Sequence, residues 1–79
     1  MEKIYAVAIT SRSIVMPDSI ALFNASTKAE ARKQANLYRR QWNILDEKIQ
    51  GIELFNYVDD EDAIKQEKIR VTKIMNQKR

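Results

Sequence analysis

Residues 3–10, KIYAVAIT, are apolar on both sides of an extended chain. Tyr5, Val7 and Ile9 alternate with Ile4, Ala6 and Ala8, and successive side chains of a strand point to opposite faces. Such a strand has to be covered on both sides, so it is predicted to be central or sandwiched. The rest of a 79-residue chain must supply both covers, and a single domain of that size buries little apolar surface to spare.

Two further segments share this pattern. Residues 19–25, SIALFNA, are predicted to return antiparallel to the first strand, with Ile20, Leu22 and Asn24 on one face and Ala21, Phe23 and Ala25 on the other. Residues 49–58, IQGIELFNYV, alternate Ile52, Leu54 and Val58 with Glu53, Phe55 and Tyr57. Gly51, the only glycine, predicts a bulge or a close backbone approach within that third strand.

Between the second and third strands lies TKAEARKQANLYRRQWNIL, residues 27–45. Thr27 and Glu30 are spaced as a capping box, with the Thr27 hydroxyl accepting from a first-turn amide and Glu30 reaching back to the Thr27 amide. Ala31, Ala35, Tyr38, Trp42 and Leu45 recur at helical spacing and fall within a stripe of roughly 80°. That stripe predicts a helix whose small residues approach the sheet closely while Tyr38, Trp42 and Leu45 fill its core. Trp42→Ala is then expected to cost roughly 3–5 kcal/mol. Asn43 is a suitable helix stop.

The C-terminal third reads two ways. Asp59, Asp60, Glu61 and Asp62 signal a helix start, since acids favour the positive end of the helix dipole. The β-branched, alternating run IRVTKI then predicts a short helix at 60–67 followed by an edge strand at 69–74. The alternative is one long helix, because Ile64, Val71 and Met75 stand at i, i+7, i+11. Residues 76–79, NQKR, read as a frayed basic tail. The expected fold is a single small α+β domain, 1–79. It is a mainly antiparallel sheet in the order β-β-α-β-α, with a fourth edge strand if 69–74 is extended and one main amphipathic helix on one face. The strand reading leaves the second sheet face bare, and a bare face predicts self-association, a homodimer or an obligate protein partner. The long-helix reading removes that argument.

The chemistry available is narrow. The chain has no Cys and no His, which removes thiolates, disulfides and the commonest general base. One Gly excludes phosphate-cradling loops and dinucleotide fingerprints. The acidic run lacks calcium-loop spacing and reads as a helix start. No catalytic residue, metal or cofactor is therefore expected, and no small-molecule substrate. No stretch is long enough in apolar residues for a membrane span, and a cytoplasmic location is the default expectation.

Two kinds of surface remain. Ile14, Val15 and Met16 interrupt a polar connection: they either fold back over the sheet edge or extend the strand, or they form an exposed apolar tip offered to a partner. Leu37 and Ile44 lie about 100° or more off the main helical stripe, beside Lys33 and Arg40, an apolar spot with a basic rim. These five residues carry the expectation of a non-enzymatic protein-binding module acting as inhibitor, adaptor or regulator. The net charge of +3 is unevenly spread: seven basic and three acidic groups in 1–45, one and seven in 46–63, six and one in 64–79. Lys28, Arg32 and Arg39 on one helix flank, with Lys33 and Arg40 on its back, support the alternative of a nucleic-acid-binding accessory protein. No recognised nucleic-acid motif accompanies them.

Overall fold

The computed structural model describes residues 1–10, 14–42 and 48–77. Its elements run β1 (Lys3–Thr10), β2 (Ile20–Ala25), α1 (Lys28–Gln41), β3 (Lys48–Phe55) and α2 (Glu61–Gln77). The three strands form one antiparallel sheet in the order β2-β1-β3, with β1 in the centre. The expected α+β domain is present. The longer of its two helices is the C-terminal one, seventeen residues against fourteen.

Each face of β1 has its own helix. Tyr5, Val7 and Ile9 pack with Ala31 and Ala35 of α1, joined by Ala25 and by the partly buried Phe23, Ile49 and Ile52. Ala6 and Ala8 pack with Val71 and Met75 of α2, joined by Val15, Ile20 and Phe55. The sheet is the middle of three layers, and its central strand is the buried, two-sided one that its composition requires.

The edge strand expected at 69–74 is absent, because those residues lie within α2. Their β-branched side chains cost a helix only about 0.5 kcal/mol each. Burying Val71 and Met75 against an otherwise bare sheet face returns about 1.5–3 kcal/mol each. Burial therefore outweighs propensity. The buried Thr72 is accommodated because its hydroxyl donates to the Lys68 carbonyl at 2.6 Å. The argument for self-association through a bare second sheet face falls with the strand, since α2 covers that face. Of the expected frayed tail, Asn76 and Gln77 are helical instead, and Lys78 and Arg79 lie outside the described residues.

Local signals set the boundaries. Thr27 caps α1 by accepting from the Glu30 amide at 3.2 Å, worth about 1 kcal/mol. The return arm differs from the expected box: Glu30 accepts from the Ser26 amide at 3.1 Å, not from Thr27. Asp60 caps α2 by accepting from the Asp62 amide at 3.1 Å, the helix start predicted for the acidic run. In β3 the register slips opposite Ala8 and Ile9. The extra residue, Gln50, lets Ile49 and Ile52 face α1 together although three apart. The neighbouring Gly51 lies under Met75, where an added Cβ would meet the Met75 Cγ at 3.5 Å.

Candidate protein-binding surface

Ala31 and Ala35 are fully buried against Tyr5, Val7 and Ile9, and such small residues let α1 approach the sheet closely. The aromatic residues further along the same stripe are displaced outward. Tyr38 leans onto Phe23 of β2, edge to face, with ring centroids 5.8 Å apart. Trp42 packs on Tyr38 at 6.3 Å and 50°. The row therefore leaves the core at β2 and ends in solvent, with Trp42 64% exposed. This corrects the expected core role of Trp42 and of Tyr38, which is also exposed. Leu45, the last residue of the predicted stripe, lies outside the described residues together with Asn43 and Ile44.

The other sequence candidates divide. Leu37 is exposed, on the α1 flank that also carries Gln34. Ile14 and Met16 are exposed, as an apolar tip requires, but Val15 between them is 1% exposed and belongs to the α2-side core. Its assignment to a partner surface is withdrawn. Asn76 explains its position: its side chain accepts from the Val15 amide and donates to the Val15 carbonyl, both at 3.0 Å. One amide side chain thus holds a strand-like residue as a neighbouring strand would. Ile14 and Met16 flank that clamp and do not meet Leu37 in any described contact.

Among the cations, Lys28, Arg32, Lys33 and Arg40 are exposed along α1. Arg39 is half-buried. Its guanidinium donates to the Asn36 side chain at 3.2 Å, and its Nε is buried without a partner among the described residues. Three of the proposed nucleic-acid contacts (Lys28, Arg32 and Arg39) lie on the flank away from Gln34 and Leu37, and two (Lys33 and Arg40) on the back. They rim the aromatic row and do not interleave with it.

The two sheet edges differ. At β3, Leu54 points its backbone away from β1, its N–H to the Glu53 carboxylate at 3.3 Å and its carbonyl to Arg70 Nη2 at 3.4 Å. Glu67 closes the end of that edge, accepting from the Asn56 amide at 3.0 Å and from Arg70 Nε at 3.0 Å to both oxygens. Arg70 Nη2 also binds Glu67 Oε1. The Arg70 hydrogen bonds hold the Glu67 carboxyl below its ordinary pKa, overcoming the opposing effect of its burial.

Strand alternation then fixes β2. Tyr5 pairs with Leu54 on one side and Phe23 on the other. Because Leu54 turns outward, the Tyr5 backbone bonds to Phe23, and Ile20, Leu22 and Asn24 turn outward. Two hydrogen bonds agree: Ile20 N–H donates to the Pro17 carbonyl, and Gln34 donates to the Asn24 carbonyl at 2.8 Å. Between them the Leu22 N–H and carbonyl meet no group among the described residues. The Leu22 side chain, 37% exposed, lies on the same sheet face as Ala6, the face that α2 covers. Sequence reasoning missed this edge; the only local signal is an apolar Leu alternating with Asn24 on one face of β2.

Among the described residues no cluster of three or more acidic side chains is placed to hold a metal, and no helix is long and apolar enough to cross a membrane. The chain matches no protein-family model, no curated protein and no solved structure.

Proposed function

We propose that the protein is a non-enzymatic protein-binding module whose contact surface is the aromatic end of α1. The carrying observation is the exposure of Trp42 at the end of a row anchored on Phe23. Trp, Tyr and Arg are the residues that dominate binding energy at protein interfaces, and here they stand together with Leu37 at one end of a helix. The rings support this better than base stacking: their mutual tilts of 77° and 50° present edges instead of parallel faces. A cytoplasmic setting belongs to the same proposal, as the default for a chain that folds without disulfides.

Nucleic-acid binding is the second reading, favoured by the exposed Lys28, Arg32, Lys33 and Arg40 beside an exposed Trp. The single Trp reports on both. Immobilised wild type and Trp42→Ser are compared for the proteins each retains from the native host. Specific proteins held by wild type and lost on Trp42→Ser, with unchanged circular dichroism, support the first reading. Salt-sensitive quenching of Trp42 by random-sequence RNA or DNA, lost on Arg32→Ala with Arg40→Ala, moves the assignment to the second.

A further inference from the structure

We propose that the open edge of β2 is a self-association seam, on which a second copy of this chain adds its own β2 antiparallel with Leu22 at the twofold axis. The proposal shares the Leu37–Tyr38 flank of α1 with the surface described above, and to that extent rests on that reading. Its own ground is the hydrogen-bonding pattern of the edge.

That pattern is self-complementary in one register only. With Leu22 opposite Leu22 of the second copy, each Leu22 N–H meets the other's carbonyl. Two residues out, Ile20 faces Asn24 of the second copy. The Asn24 N–H donates to the Ile20 carbonyl across the seam, in both directions. The remaining donor and acceptor of that pair are the Ile20 N–H and the Asn24 carbonyl. These are the two groups already satisfied inside each protomer, by Pro17 and by Gln34. Nothing is left buried and unpaired, the condition an added strand has to meet. Centring on Ala21 or Phe23 instead would set an occupied group against an open one and strand the open one.

Side chains agree with this register. A twofold between antiparallel strands stands perpendicular to the sheet, so like faces stay together. The two Leu22 side chains meet on the α2 face. On the other face the two copies of α1 come side by side with their Gln34 and Leu37 flanks toward the axis, and Tyr38, already over β2, covers the join. On the β3 edge, by contrast, Glu53 and Arg70 already occupy the Leu54 backbone. A strand six residues long makes a small interface, and interfaces below about 1,200 Å² are characteristically weak and reversible.

The full chain is examined by sedimentation from micromolar to millimolar concentration. Reversible dimerisation is expected, and Leu22→Lys is expected to weaken it about tenfold or more by placing two ammonium groups across the axis. Leu54→Lys, an equal change at an equally exposed Leu of the other edge, is expected to leave it unchanged. Cysteine supplies the register without depending on affinity. The natural chain has no Cys, and a hydrogen-bonded antiparallel pair sets Cα atoms about 5.5 Å apart, within disulfide reach. Under mild oxidation Leu22→Cys should link to its own kind, while Leu54→Cys and Ile20→Cys should not. A chain that stays monomeric throughout, or cross-linking of Leu54→Cys as fast as Leu22→Cys, overturns the seam. Either result leaves the aromatic surface to its own capture experiment.

Discussion

α1 closes its side of the sheet with Ala31 and Ala35, whereas α2 closes the other with Val71, Thr72 and Met75. The same central strand faces both. Its α1 side presents Tyr5, Val7 and Ile9, and its α2 side presents Ala6 and Ala8. Bulk on the strand meets small residues on one helix, and small residues on the strand meet bulk on the other. The two layers are therefore filled in opposite senses, and this decides where large side chains are left over. α2 spends Val71 and Met75 in the core. α1 has no room for its own, and Tyr38 and Trp42 emerge at the surface.

The opposite filling implies opposite failures, and a pair of substitutions tests it. Met75→Ala removes bulk from the α2 layer, over Gly51 and the β1 alanines, and is expected to cost about 2–5 kcal/mol. Ala35→Leu adds bulk to the α1 layer and is expected to cost about 1–3 kcal/mol by overpacking. Urea unfolding followed by circular dichroism measures both. A neutral or stabilising Ala35→Leu would show that α1 has slack beneath it and that close approach is not what expels the aromatics.

A second contrast lies between the two edges and is sharpened by pH. Glu67 ties the β3 edge to α2 as a carboxylate. Its folded pKa lies below the ordinary value near 4.5. The stabilisation is then complete above that ordinary value and is lost as pH falls through the lowered folded one. Glu67→Gln is expected to cost about 1–2 kcal/mol at neutral pH, through the lost charge-assisted bonds to Arg70 and Asn56. Once the pH has fallen below that lowered folded pKa the two proteins should converge, because both then carry a neutral side chain. A stability difference constant from neutral to acid pH would remove Glu67 as the group that closes this edge.

Much of this fold is legible in the residues. Both-sided apolar alternation identifies β1, β2 and β3, Thr27 and Asp60 mark the helix starts, and Gly51 marks the bulge. Two demands conflict at 69–74, where IRVTKI favours a strand and the uncovered sheet face requires a helix. Only the second is a tertiary requirement, and it outweighs a few tenths of a kcal/mol of propensity per residue. The misplacement of Trp42 has a different cause. Helical periodicity gives the angle of Trp42 about the axis but not the depth available beneath it. That depth is set by Ala31 and Ala35, a turn or two earlier on the same stripe. The open edge at Leu22 depends on which backbone groups Gln34 and Pro17 occupy, contacts no spacing rule contains.

The smallest effect separates surface from core most sharply. Trp42 has the largest side chain in the protein, and in a core its truncation would cost about 3–5 kcal/mol. On the surface seen here, Trp42→Ala gives up one tilted contact with Tyr38, and its expected cost is within about 0.5 kcal/mol. The indole emission of the wild-type protein should accordingly sit at the long wavelength of a hydrated Trp at low protein concentration. It should be quenched by iodide about as readily as free tryptophan. A loss above about 2 kcal/mol on Trp42→Ala would mean that the row extends the α1-side core after all. A neutral substitution that also weakens binding would separate the cost of making the surface from the energy the surface delivers to its partner.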